Sequence, residues 1–157
     1  MPDYATTKSL ETGTTSRVLA PHTRFSDTVW AYTILRLSFG ANIMLHGVSR
    51  LLAGHAAFLG YLNHYFEKTP AIPASTLPTF AWGLPPVETT LGVLLFFGLW
   101  TRFALIAGGL VLTALVIGTN LAQDWNVAGL QLIYALLYYY LLVHRDQNVV
   151  SVDGMLT

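Results

Sequence analysis

The chain has 157 residues, of which 54% are hydrophobic and only 10% charged, and eight basic residues balance eight acidic ones. Soluble domains carry about 25% charged residues, so this composition excludes an ordinary water-soluble globule and favours a small integral membrane protein. Zero net charge excludes a basic footprint for nucleic acid as a partner. The absence of cysteine excludes a disulfide framework and a thiol relay within the chain.

Residues 1–27 form a polar segment rich in Ser and Thr. This segment lacks the apolar core of roughly 7–15 residues that a secretory signal needs. We therefore expect a cytoplasmic tail, which the helix N-cap signal Ser26-Asp27 brings to an end. Residues 28–146 are predicted to form the membrane domain, and residues 147–157 a second cytoplasmic tail.

Four apolar stretches predict four membrane-spanning helices, because a bilayer core requires about 20 apolar residues in helical form. These stretches cover residues 28–52, 86–100, 103–121 and 127–143. The third carries no charge and is apolar on every face, which argues against the alternative of a soluble helical bundle. Only short turns separate the last three, so neighbouring helices must run antiparallel. The predicted fold is an all-α, up-down four-helix membrane bundle.

The first connection, residues 53–85, is long and is predicted to lie outside the membrane on the extracytoplasmic side. Its first half places four large apolar side chains on one helical face: Phe58, Leu59, Leu62 and Phe66. This pattern predicts an interfacial helix across one mouth of the bundle. The second half is punctuated by proline, so we expect it to be irregular.

Basic residues near the ends of the spans predict the orientation of the bundle. Five lie on the side of the two termini and two on the other: Lys8, Arg17, Arg24, Arg102 and Arg145 against Arg50 and Lys68. Cytoplasmic segments of membrane proteins carry an excess of Lys and Arg. We therefore expect both termini in the cytoplasm.

Ionisable residues within apolar helices mark candidate sites, because each costs at least about 2.5–3.5 kcal/mol at the bilayer centre. His46 and Arg50 lie one turn apart near the end of the first span, and Glu88 follows the start of the second. We expect these three to meet in one polar site. The alternatives are a packing histidine, and a carboxylate that suits the first turn of a helix.

Arg36 and Gln131 are the other two candidate binding residues. Arg36 lies deeper in the first span, where it either binds a ligand or serves the structure by snorkelling or by an ion pair. Gln131 lies one turn inside the last span, where its amide is placed to bridge helices or to bind a ligand carbonyl. Three consecutive tyrosines, 138–140, are interpreted as anchors at the membrane interface.

The distribution of histidines argues against an intrachain haem, which requires axial ligands at matching depth. His46 and His144 lie near opposite ends of the predicted bundle, and the second and third spans contain no histidine. We also find no strong metal-ligand spacing and no nucleotide-binding fingerprint. We therefore expect no haem and no metal.

Three segments resemble motifs of the DoxX family of membrane proteins. They are LRLSFGANIMLHGVSRLLAG at 35–54, VETTLGVLLFFGLWTR at 87–102 and HRDQNVVSVDG at 144–154. The resemblance spans about residues 33–154 and implies a four-helix protein in the cytoplasmic (inner) membrane of a bacterium or archaeon. The positions that match the motifs are Arg36, His46, Arg50, Glu88, Thr101 and Arg102. The chain departs from the family at Gln131, where an acidic residue is common.

This resemblance implies a first function, namely a subunit of a quinone-linked oxidoreductase that acts on a small sulfur compound such as thiosulfate. In that function quinone is the candidate cofactor, since it suits an apolar slot with a few polar groups. His46 and Glu88 are then the catalytic proton carriers, and Arg50 and Arg36 bind the substrate or the quinone. Because the chain has no evident redox centre, the function requires direct transfer to quinone or a partner subunit. The alternative is a non-catalytic structural or assembly subunit of a larger respiratory or photosynthetic membrane complex. Transport or small-ligand binding is a third hypothesis. The expected partners are the lipid bilayer and other membrane subunits.

Overall fold

The computed structural model describes residues 26–156. This part of the chain contains helices and short 3-10 turns and no strand, so the predicted all-α fold is confirmed. The helices are α1 (Asp27–Ala53), α2 (His55–Tyr65), α3 (Leu77–Phe97), α4 (Thr101–Leu121), α5 (Trp125–Val143) and α6 (Val152–Leu156). Of the predicted N-terminal tail, residues 1–25 lie outside the described residues. Ser26 caps α1 as predicted, because its hydroxyl accepts a hydrogen bond from the amide of Val29.

Three segments are long and apolar enough to cross a membrane: Ala74–Phe97, Thr101–Leu121 and Trp125–Val143. The longest helix, α1, is not among them, because polar residues such as Arg36, Asn42 and His46 interrupt its apolar sequence. Three of the four predicted spans are thus supported, and the first, residues 28–52, is not. Helix α1 packs along α3, and α4 packs chiefly against α5. The four long helices thus form a bundle of two pairs.

Glycines bring α1 and α3 into direct backbone contact. A Cβ atom added at Gly40 would lie 2.5 Å from the backbone nitrogen of Phe96, and one added at Gly47 would lie 2.5 Å from that of Thr89. A Cβ atom at Gly92 of α3 would overlap the backbone of Met44 in α1. We call this line of contact the α1–α3 seam. Small residues permit such close approach between membrane helices.

The predicted start of the second span at residue 86 was wrong, because α3 begins at Leu77. The connection predicted to be irregular was expected to end at residue 85, yet Pro85 and Pro86 lie inside α3. Packed neighbours and hydroxyl groups compensate for interior prolines in membrane helices. The longer helix places Glu88 in its middle. The interpretation of Glu88 as a first-turn carboxylate was therefore also wrong.

Helix α2 covers one end of the bundle, which we call the cap end. Its residues Phe58 and Leu62 are buried against Leu77, Ala81 and Leu84 of α3. The helix and its buried face thus agree with the prediction for the first half of the connection.

The cap is also fixed to the start of α5. The Tyr65 hydroxyl donates a hydrogen bond of 2.8 Å to Oδ2 of Asp124, the N-cap residue of α5. Burial, followed by this hydrogen bond, raises the pKa of Tyr65. The hydroxyl therefore keeps its proton and remains a donor to the carboxylate across the physiological range.

We expect Gly92→Ala to destabilise the protein, because the new methyl group must push α1 away from α3. Overpacking of this kind costs about 1–3 kcal/mol. The matched control is Gly83→Ala in the same helix, where a Cβ atom meets nothing within 4 Å. Thermal unfolding in detergent should show a lower midpoint for Gly92→Ala and an unchanged or slightly raised one for Gly83→Ala. Equal midpoints would contradict the seam.

Candidate functional site

A cavity of about 230 Å³ lies where the two helix pairs meet, and all four long helices line it. Most of its wall is apolar. The polar side chains that reach it are Asn42, His46, Arg50, Glu88, Gln131, Tyr134 and Tyr138. Four of the five predicted site residues, His46, Arg50, Glu88 and Gln131, are among them. Their catalytic and binding roles stay predictions.

Arg50 and Glu88 form an ion pair that joins α1 to α3 at the cavity wall. The Glu88 side chain is only 10% exposed, whereas that of Arg50 is 28% exposed. The Arg50 guanidinium also lies 5.0 Å from the ring centroid of Phe58 in α2, a cation–π distance. Arg50 therefore connects α1 to α3 by an ion pair and to the cap by a cation–π contact. Because a guanidinium has five N–H donors, Arg50 keeps donors that Glu88 does not use.

His46 lines the cavity one helical turn before Arg50, and its side chain is exposed. Within residues 26–156 its ring makes no hydrogen bond. A neutral imidazole has one donor and one acceptor nitrogen, so the ring can exchange a proton with a bound molecule. Of the polar groups around the cavity, His46 is the best placed to do so.

The remaining polar groups of the cavity bridge helices. The Thr119 hydroxyl on α4 donates a 2.8 Å hydrogen bond to the Gln131 side-chain oxygen on α5. The Asn42 amide on α1 donates to the Tyr134 hydroxyl on α5 at 3.3 Å. The predicted helix-bridging alternative for Gln131 therefore matches its contact, and the same residue also faces the cavity.

Tyr138 was missed as a cavity residue. Its ring is 8% exposed and meets Phe39 edge-on at 4.7 Å, while Gly108 provides the space for its hydroxyl. The interfacial interpretation of the tyrosine run was therefore wrong for Tyr138, whereas Tyr139 and Tyr140 are exposed. Three consecutive helical residues point in three directions, so one of them had to face the bundle interior.

The structure does not bring Arg36 to the cavity. Arg36 is 2% exposed and lies at the opposite end of the bundle, which we call the tail end. Its guanidinium donates to the carbonyl oxygens of Leu95 and Phe96 at 2.6 Å and of Val150 at 2.9 Å. Arg36 thus caps the C-terminus of α3 and fixes the chain after α5. Its contacts are those of a structural residue, as the alternative interpretation expected.

The segment after α5 is folded against the tail end. Oδ1 and Oδ2 of Asp153 accept 2.8 Å hydrogen bonds from the amides of Trp100 and Thr101 at the start of α4. Burial acts to raise the pKa of Asp153, but these hydrogen bonds and the nearby Arg36 outweigh it and lower the pKa. The carboxylate therefore stays charged and caps α4. Thr101, a position of the matched motif, is fully buried and accepts a hydrogen bond from Asn148.

Within the described part of the chain, no group of three or more His, Asp or Glu residues is arranged to hold a metal ion. The cavity instead offers hydrogen-bond donors and a proton-exchanging imidazole within apolar walls. Such a site can bind a small apolar molecule that carries acceptor oxygens.

A family model described as "Methylamine utilisation protein MauE" matches residues 28–148 of the chain. This match overturns the predicted membership of the DoxX family, which is a different membrane family. The assignment to thiosulfate:quinone oxidoreduction depended on that resemblance and falls with it. The match and the apolar helices together establish a multi-pass membrane protein. Neither a curated protein nor a solved structure matches the chain.

We expect Arg36→Gln to lower the stability by about 3 kcal/mol or more, because buried carbonyl groups lose their donors at about 1–3 kcal/mol each. The matched control is Lys68→Gln, which removes an exposed positive charge at the other end of the bundle. Thermal unfolding in detergent measures the difference. Limited proteolysis should also cut the segment after α5 sooner in Arg36→Gln. A variant as stable as the control would refute the capping role.

Proposed function

Because the chain belongs to the MauE family, we propose that it is a membrane component of a methylamine utilisation system, in which its central cavity binds a quinone head group. The single observation that carries this proposal is the cavity on which His46, Arg50, Glu88 and Gln131 converge from three helices. We place the protein in a bacterial cytoplasmic membrane. The basic residues Arg102 and Arg145 at the tail end favour a cytoplasmic location of both termini.

The size of the cavity supports a small ligand. Its volume of about 230 Å³ lies below the roughly 300–1,000 Å³ of pockets that enclose drug-sized molecules. A single substituted ring fits this scale better than a nucleotide or a peptide. Phe39, Leu91 and Leu112 supply apolar wall against which such a ring can pack.

The charges around the cavity favour a ligand with hydrogen-bond acceptor oxygens over a cationic ligand. Glu88 is already paired with Arg50, so a methylammonium ion would meet a guanidinium together with the carboxylate. The unused N–H groups of Arg50 instead suit a carbonyl oxygen. Quinone carbonyls are such acceptors, and the N–H group of the His46 ring can donate a hydrogen bond to the same ligand. The ion pair thus selects the ligand class, and His46 supplies a further hydrogen bond.

One observation favours a second candidate function, an assembly subunit without a bound ligand. Two polar contacts at the cavity, Gln131 with Thr119 and Asn42 with Tyr134, already join helices to one another. In that case the polar residues hold the bundle together and the protein acts through partner subunits. Ligand binding separates the two functions, because only the first requires it.

We expect deletion of this chain to abolish growth on methylamine as the sole nitrogen source, in a bacterium that carries it and grows on methylamine. Growth on ammonium should remain normal, since the proposed role is confined to methylamine. Expression of the full chain from a plasmid should restore growth. A deletion strain that grows normally on methylamine would contradict the proposed role, whatever the cavity binds.

We expect His46→Ala to weaken the binding of a short-chain benzoquinone by about tenfold, the ~1.4 kcal/mol of one good hydrogen bond. The matched control is His64→Ala, whose side chain is 89% exposed and lies in α2 away from the cavity. Calorimetric titration of the purified chain in detergent measures both affinities, with methylammonium as the competitor. Both variants should unfold at the wild-type temperature.

Three outcomes would count against the quinone site. Absence of benzoquinone binding to the wild type would leave the assembly function. Displacement of benzoquinone by methylammonium would show that the site prefers a cation. Equal affinity in His46→Ala and His64→Ala would remove His46 from the site.

A further inference from the structure

The tail end carries a second, separate site. An open groove of about 960 Å³ lies there between the first two turns of α4 and the folded segment after α5. Its main side chains are Trp100, Arg102, Phe103, Ile106 and Arg145. We call it the tail-end groove. None of these residues lines the central cavity.

We propose that the tail-end groove binds the head group of an anionic phospholipid, with Arg102 and Arg145 on its phosphodiester. Both arginines are exposed and line the groove. Neither guanidinium makes a hydrogen bond or ion pair within residues 26–156. In this part of the chain their donors are thus not engaged, and a guanidinium fork matches the oxygen atoms of a phosphate.

The two carboxylates of the groove do not cancel this attraction. Asp153 directs both of its oxygen atoms to the amides of Trp100 and Thr101, and the buried Arg36 lies behind it. Its negative charge thus offsets the partial positive charge of the amide groups at the start of α4 and the positive charge of Arg36. Asp146 is exposed and accepts a hydrogen bond from the neighbouring Gln147. One exposed carboxylate thus faces two exposed arginines.

The apolar wall of the groove distinguishes a lipid from a soluble anion. Phe103 and Ile106 are 61% and 44% exposed, and Leu110 continues the same side of α4 with 68% exposure. This ridge leads from the groove into the apolar segment Thr101–Leu121, which is long enough to cross a membrane. A lipid seated here places its phosphate on the arginines and an acyl chain along the ridge. Trp100 borders the head group, the depth that indole rings prefer.

The test compares lipids on the full chain. The purified protein is reconstituted in nanodiscs that contain equal amounts of phosphatidylglycerol and phosphatidylcholine, and native mass spectrometry counts the lipids that remain bound. We expect the wild type to retain phosphatidylglycerol in preference to phosphatidylcholine. Each juxtamembrane arginine contributes about 1 kcal/mol, so Arg102→Gln and Arg145→Gln should each reduce this preference about fivefold.

Two further variants separate charge from fold. Arg102→Lys/Arg145→Lys keeps both charges and should keep most of the preference. Lys68→Gln removes one charge at the cap end and should leave the preference unchanged. Unfolding midpoints equal to that of the wild type show that each variant is folded.

Several results would overturn the proposal. One is equal retention of the two lipids by the wild type. Another is an unchanged preference in the folded Arg102→Gln/Arg145→Gln variant. Complete displacement of phosphatidylglycerol by an equimolar amount of soluble glycerol phosphate would show a site for a free anion, to which the apolar ridge contributes nothing. None of these results affects the central cavity, which lies elsewhere in the bundle.

Discussion

The close approach of α1 to α3 is the constraint on which the rest of the structure depends. Gly40 and Gly47 on α1 and Gly92 on α3 remove the side chains that would hold the two backbones apart. The two arginines of α1 flank this seam, and both find their partners on α3. Arg36 reaches carbonyl groups at the C-terminus of α3, and Arg50 reaches Glu88 in its middle. Neither contact forms unless the helices meet in this register.

The two ends of the bundle use similar residues for different purposes. At the tail end, Arg36 is buried and its donors serve main-chain carbonyls, so it contributes to the fold. At the cap end, Arg50 is partly exposed and borders a cavity, with one anionic partner and one aromatic neighbour. The difference lies in what surrounds each guanidinium, since both side chains project from the same helix. Of the two arginines, only Arg50 lines the central cavity.

The sequence was sufficient to predict the fold class and to predict that His46, Arg50, Glu88 and Gln131 lie near one another. Both predictions use local properties of a helix, namely the periodicity of its apolar residues and the position of a residue along it. Arg50 and Glu88 were expected to meet because the first span ends, and the second begins, on the same side of the bundle, and they do meet although the predicted start of the second span was wrong. The sequence was insufficient for Arg36, because its partners are main-chain carbonyls that no residue pattern marks. It was also insufficient for Pro85 and Pro86, whose tolerance inside α3 depends on tertiary packing. The family motifs were too short to separate one membrane family from another.

The seam also has a consequence for biosynthesis. The partners of Arg50 and Arg36 lie 38 and 59 residues further along the chain, so neither exists when α1 leaves the ribosome. An α1 synthesised before α3 therefore carries two guanidinium groups whose α3 partners are still missing. The register of α1 can be fixed only after α3 has been synthesised. The pair α1 and α3, with the cap between them, is then the smallest unit in which both arginines reach their partners on α3.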